Sequence, residues 1–185
     1  MESISAKKMT PVRDPVRFMD GGNITYDDLK NALQSRIDEY GVPVAMDSGE
    51  ISYGLFSPSV ECLTLYHPEH HNDYYDFCLI IKPLGKTCTI EAYSYGKSTQ
   101  MSREAFAENT KVFDGSGVGN TALGLLRGGA IGAGFAIGSA VTGIAKAGGK
   151  AIAKGINALM RDPAALEQEK AWYDAIFSVF NDVIS

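Results

Sequence analysis

Residues 128–145 read GGAIGAGFAIGSAVTGIA, an uncharged stretch of eighteen residues between Arg127 and Lys146. A stretch of this kind folds as a membrane span, as a helix packed against protein, or as a flexible tether. A tether favours Ser, Pro and charged residues, whereas this stretch is rich in Ala, Ile and Val. The functional predictions below therefore depend mainly on the two helical interpretations, a membrane span and a helix packed against protein.

Helical periodicity extends over residues 121–161. Apolar residues recur at steps of three and four and fall on one face of a helix, namely Leu123, Leu126, Ala130, Ala133, Ile137, Val141 and Ile144. Gly124, Gly128 and Gly132 are four apart on the opposite half, and Gly134 and Gly138 flank the apolar face. Such a glycine zipper lets another helix approach to backbone contact distance. We expect these five glycines to be the residues of helix packing and assembly.

The glycines also imply a partner. Six glycines lie between residues 128 and 145, and each costs a helix about 1 kcal/mol relative to Ala, or about 6 kcal/mol for the stretch. The isolated segment is therefore a poor helix in water. It becomes helical when something packs on the glycine face, either within this chain, from a second copy, or from another protein.

The main alternative is a membrane-associating protein that uses residues 120–161, either bound at the surface or inserted as a toxin-like or channel-like element. Eighteen helical residues reach about 27 Å, just short of a bilayer core, and few of these residues favour insertion. The segment that follows has a polar stripe of Lys146, Lys150, Lys154 and Arg161 opposite apolar residues. A cationic amphipathic helix of this kind fits an anionic membrane surface, and it fits equally a surface helix whose lysines face water.

The rest of the chain predicts an α+β domain with three kinds of element. Thr25, Asp28 and Gly41 delimit an N-terminal helix with a capping box and a glycine C-cap. Five segments between residues 42 and 96 are rich in β-branched and aromatic residues and predict an antiparallel meander of four or five strands. A short helix follows at 101–113. Asp162 and Pro163 begin an amphipathic C-terminal helix.

These patterns divide the chain into four parts. Residues 1–21 are predicted to be a flexible leader, and 22–113 a helix with an antiparallel sheet. Residues 114–161 are the glycine-zipper segment, predicted to form a helical hairpin, and 162–185 a helix that packs on the sheet domain. The N-terminus lacks the apolar run of a signal peptide, and the three cysteines lack a CxxC spacing. We therefore expect a cytoplasmic protein with reduced thiols, peripheral to a membrane if the alternative holds.

Charge bears on the choice of partner. The net charge of −5 argues against nucleic acid. Residues 118–161 nevertheless carry five bases and no acid, so a basic arm is attached to an acidic body. The partners that we expect are a protein or a second copy of this chain, with an anionic membrane as the alternative.

Catalytic motifs are not recognisable in the chain, and no cofactor is predicted. The segment HPEHHND places all three histidines within five positions, and His67, His70, His71 and Asp73 are the weak candidates for a metal site in the loop 67–76. A polar hairpin tip explains the same residues. The sequence thus predicts a non-enzymatic interaction protein, with membrane association as the first alternative and metal binding as the second.

Overall fold

The computed structural model describes residues 2–19, 22–54, 57–111 and 162–184. Strands β1 (Glu2–Ser5), β2 (Thr10–Pro11) and β3 (Val16–Phe18) precede helix α1 (Tyr26–Tyr40). Strands β4 (Ala45–Ser52), β5 (Val60–Tyr66), β6 (Tyr75–Leu84) and β7 (Thr87–Gly96) follow, and then helices α2 (Arg103–Lys111) and α3 (Pro163–Val183). The predicted α+β class and the C-terminal helix are confirmed.

One seven-stranded sheet runs through the described residues. Strands β4 to β7 are antiparallel neighbours in chain order. At one edge β1 pairs in parallel with β4, and at the other edge β2 and β3 pair with β7. The sheet differs from the predicted meander of four or five strands because the first eighteen residues, for which the sequence predicts a flexible leader, contribute three more strands.

The N-terminal segment forces the sheet to curl. Strands β1 and β2 lie at opposite edges, yet only residues 6–9 join them, in a short 3₁₀ turn over Ala6–Lys8. A flat sheet of six strands is about 24 Å wide, whereas the five Cα steps from Ser5 to Thr10 reach at most about 18 Å. The edges must therefore approach each other, and the sheet has a concave face.

Helix α1 begins and ends as its sequence indicates. Asp28 donates its backbone N–H to Thr25 Oγ1 at 3.1 Å, and the Asp28 carboxylate accepts the backbone N–H of Thr25 at 3.0 Å. Gly41 ends the helix at φ +63°, a conformation that costs glycine little. The buried stripe of the helix, Leu29, Leu33 and Ile37, packs on the sheet.

Helix α3 packs beside α1 on the same face of the sheet. Asp162 caps its first turn by accepting the backbone N–H of Ala164 at 3.0 Å. The helix buries an aromatic stripe in which Trp172, Tyr173, Phe177 and Phe180 are all at most 3% exposed. Phe106 of α2 joins this core. This face, which we call the helix-covered face, holds the main hydrophobic core of the described residues.

Candidate functional site

The concave face of the sheet has two unlike halves. One half is a small second core, in which side chains of β1, β4, β5, β6 and β7 meet; its buried members are Ile4, Ile51, Cys62, Cys78, Ile80 and Tyr95. The other half is polar. Side chains alternate between the faces of a strand, so the polar residues Thr64 and Asp76 extend the rows that Cys62 and Cys78 begin.

An open cleft of about 640 Å³ occupies the polar half. Strands β1, β4 and β5 and the loop after β5 provide its walls, which are lined by Glu2, Asp47, Ser48, Thr64, Tyr66 and His71. No Lys or Arg is among these lining residues. The cleft therefore presents carboxylates, hydroxyl groups and one imidazole, and its electrostatic potential favours a positively charged ligand.

Hydrogen bonds hold the cleft carboxylates in place. The hydroxyl of Tyr95 donates to Glu2 Oε2 at 2.8 Å, and the hydroxyl of Tyr66 donates to Asp47 Oδ2 at 2.5 Å. The hydrogen bond to Asp47 raises the pKa of Tyr66. The pKa of Tyr95 is raised mainly by burial and, to a smaller extent, by the hydrogen bond to Glu2. Both phenols therefore stay protonated and serve as donors, which leaves the remaining carboxylate lone pairs as acceptors.

Asp76 is the most deeply buried carboxyl beside the cleft. Its residue is 3% exposed, and its Oδ2 lies 3.2 Å from Nδ1 of His71, which lines the cleft. These two atoms are within ion-pair distance, but they do not form a hydrogen bond, because His71 Nδ1 is buried without a hydrogen-bond partner. The other carboxyl oxygen, Asp76 Oδ1, is also buried without a partner. Burial, and secondarily the charge of Glu2, raise the pKa of Asp76 to about 8.

Gly49 permits the close approach of strands at the boundary between the two halves. It lies opposite Glu2 in β1 and Cys62 in β5. A Cβ atom at Gly49 would lie 2.7 Å from Thr64 Cγ2 and 3.1 Å from Cys62 Sγ. The absence of a side chain thus allows β1 to carry Glu2 to the cleft while Thr64 and Cys62 pack beneath.

The predicted metal residues are divided between two environments. His67 is buried against Trp172 and Tyr74, and its Nδ1 accepts the backbone N–H of Glu69 at 3.1 Å. Burial lowers the pKa of His67, which favours the neutral ring. His70 stacks on Tyr74 with ring centroids 4.5 Å apart.

His71 instead turns to the cleft and packs on Tyr66, with ring centroids 4.4 Å apart. Asp73 stays with His70, where its Oδ2 lies 3.8 Å from His70 Nδ1. Within the described ranges, no group of three or more His, Cys, Asp or Glu side chains has a geometry that could hold a metal ion. The geometry of the loop therefore gives the metal hypothesis no support.

The other predicted site residues lie outside the described residues. These are the five glycines of the zipper and the basic residues Lys146, Lys150, Lys154 and Arg161. None of the helices in the described part of the chain combines the length and apolar composition that a membrane crossing requires. The thiols of Cys62, Cys78 and Cys88 are free and buried.

Sequence reasoning did not identify the cleft. Glu2 falls in the predicted leader, and Asp47 lies within β4. One signal was present in β6, because Asp76 interrupts YYDFCLIIK, an otherwise aromatic and apolar run. An acid at a buried strand position is costly unless the site around it has a use for it.

Comparison with protein-family models, with curated proteins and with solved structures finds no match for this chain. The fold and the site therefore define its class by themselves. The described residues form an α+β domain in which two helices cover one face of a curled sheet and the concave face carries an acidic cleft.

Proposed function

We propose that this chain is a non-enzymatic interaction protein, in which the glycine-zipper segment 114–161 packs against a helix of a partner protein or of a second copy of the chain. The spacing of Gly124, Gly128 and Gly132 carries the proposal. Small residues at every fourth position remove side-chain bulk from one helix face, so a second helix gains van der Waals contacts along the backbone.

The composition of the described cores supports a partner outside the domain. The buried apolar side chains of α1, α2, α3 and the sheet pack with one another in the main core and in the second core. Among the described residues, the exposed large apolar side chains are those of Met19, Tyr53 and Leu84. A surface with so few exposed apolar groups leaves little for a long apolar segment to cover.

Sedimentation of the full chain tests the proposal. The double substitution Gly128→Leu with Gly132→Leu fills the predicted groove and is expected to dissociate the assembly. Ala130→Leu with Ala133→Leu is the matched control, because it adds the same apolar bulk on the predicted opposite face. We expect the wild type and the control to sediment as an oligomer and the glycine variant as a monomer.

Two results would contradict this proposal. A monomeric wild type at every concentration excludes packing against a second copy. If the wild type and the glycine variant also recover the same proteins in a quantitative pull-down, packing against a partner protein is excluded as well. The predicted cytoplasmic location does not enter this test, and it stays a prediction.

The basic stripe favours a second candidate function, attachment to an anionic membrane surface. The rest of the chain is acidic, whereas this stripe consists of the basic residues Lys146, Lys150, Lys154 and Arg161. Each such base contributes about 1 kcal/mol to the binding free energy near an anionic membrane surface. The full chain is then expected to float with anionic liposomes at low salt, and Lys150→Glu with Lys154→Glu to remain unbound. Sedimentation of the wild type away from all liposomes, at every salt concentration, would exclude this function.

A further inference from the structure

We infer that the acidic cleft on the concave face is a binding site for a protonated primary amine, carried either by a small free polyamine or by a lysine side chain of a peptide. The inference is independent of the glycine-zipper segment. It rests on the shape of the cleft, on the chemistry of its lining and on the buried carboxyl group behind His71.

Strands β1 and β4 bring carboxyl groups to the cleft lining, and β6 places a third carboxyl group behind His71, which lines the cleft. Glu2 comes from β1, Asp47 from β4 and Asp76 from β6. An ammonium group has three donors and no acceptor, so acceptors that converge from several directions match it. Tyr66 adds an aromatic ring to the cleft lining, and aromatic rings attract cations.

The unsatisfied atoms indicate a ligand rather than a structural ion pair. Only 3% of Asp76 is exposed, and its Oδ1 accepts no hydrogen bond from the described residues. A buried acceptor without a partner destabilises the fold. A donor that enters past His71 would recover this loss.

Other ligand classes fit the cleft less well. A phosphate or a carboxylate would meet carboxylates without a compensating Lys or Arg among the lining residues. A divalent metal ion requires a ligand geometry that these side chains do not form in the described structure. A neutral polyol would satisfy hydrogen bonds, but it would not compensate the negative charge of Glu2 and Asp47.

Proton release should accompany binding. The groups that face Asp76 are Glu2, Tyr95, Tyr66 and His71, and the raised pKa of about 8 keeps Asp76 largely protonated at neutral pH. An ammonium group favours the ionised carboxylate. Binding is therefore expected to strengthen as the pH rises from 6 to 8 and to release protons, because the amine remains charged over this range.

Titration calorimetry of the full chain with putrescine, and separately with a short lysine peptide blocked at both ends, tests the inference. 1,4-Butanediol is the neutral control of matched length. We expect the amines to bind and the diol not to bind. In buffers of different ionisation enthalpy, the amines should release protons at pH 7.

Substitutions locate the binding. Asp76→Asn is expected to weaken amine binding about tenfold or more and to abolish the proton release. Asp47→Asn removes an exposed carboxylate, so it tests the cleft even where Asp76→Asn unfolds the chain, and it should weaken binding by a similar factor. Asp27→Asn is the matched control, because it makes the same charge change at an exposed residue of α1 outside the cleft.

Each outcome decides between the alternatives. Binding of putrescine alone assigns the site to free polyamines, and binding of the peptide alone assigns it to lysine side chains. Equal binding of the diol and the diamine, an absence of binding by both amines at pH 8, or equal loss of affinity in Asp27→Asn and Asp47→Asn would overturn the inference.

Discussion

Phe77 and Asp76 are neighbours in β6, yet they belong to opposite faces of the sheet with different roles. Phe77 is fully buried on the helix-covered face, where its ring contacts rings of α2 and α3. Asp76 is almost as buried on the concave face, where it meets Glu2 and His71. The comparison shows that burial of an aromatic ring stabilises the fold on one face, whereas similar burial of a carboxyl group destabilises it on the other.

The difference arises from what covers each face. Helices α1 and α3 bring wide apolar stripes to the helix-covered face, and the core there is dense in aromatic rings. Among the described residues, only the N-terminal segment covers the concave face, and its apolar side chains fill one half of it. The other half remains an open cleft, so polar side chains at that end keep contact with solvent or a ligand.

The largest expected effect is on the helix-covered face. Phe77→Ala should lower the free energy of unfolding by about 3–5 kcal/mol, because it leaves a cavity among rings that α2 and α3 contribute. Urea denaturation followed by circular dichroism measures this change. Phe77→Leu, which retains most of the volume, should cost clearly less. A loss below about 1 kcal/mol in Phe77→Ala would show that the two helices do not pack on this strand.

An intermediate effect is expected from pH on the concave face. Because the pKa of Asp76 is raised from 3.8 to about 8, the folded chain retains a proton that the unfolded chain releases between these values. The contribution of the Asp76 carboxyl group to the free energy of unfolding is fully present below pH 4 and is lost as the pH rises towards 8.

Asp76→Asn removes that dependence. Between pH 5 and 7, the wild type should lose about 3 kcal/mol of unfolding free energy relative to the variant, at about 1.4 kcal/mol per pH unit. Urea denaturation at several pH values checks this difference. Asp27→Asn should run parallel to the wild type. A constant difference between wild type and Asp76→Asn would mean that Asp76 is ionised throughout.

The smallest expected effect lies at the boundary between the two halves of the concave face. Gly49→Ala should cost about 1–3 kcal/mol, because the new Cβ meets Thr64 Cγ2 and Cys62 Sγ at less than ordinary contact distance. Thermal denaturation measures the loss, and the exposed neighbour Ser48→Ala should change stability by less than about 0.5 kcal/mol. Equal stability of Gly49→Ala and wild type would show that Thr64 and Cys62 of β5 do not pack this closely against residue 49.

Local sequence signals predicted the helices well. The capping box depends only on Thr25 and Asp28, which are three positions apart, and the glycine C-cap depends only on the backbone conformation of Gly41. The local sequence therefore specifies both ends of the helix. The stripe from Trp172 to Phe180 likewise follows from helical spacing. The metal hypothesis stays a prediction, and nearness in sequence does not decide which way three histidine rings of a loop turn.

The sequence by itself determined the α+β class, the ends of α1, and the cap and the apolar face of α3, because these follow from contacts within one or two turns. The tertiary structure alone decided that residues 2–18 join both edges of the sheet, that Glu2 and Asp47 line one cleft, and that Asp76 lies behind His71 beside it. Strand pairing between residues far apart depends on the closure of the whole sheet, and no local pattern in the N-terminal segment encodes that closure.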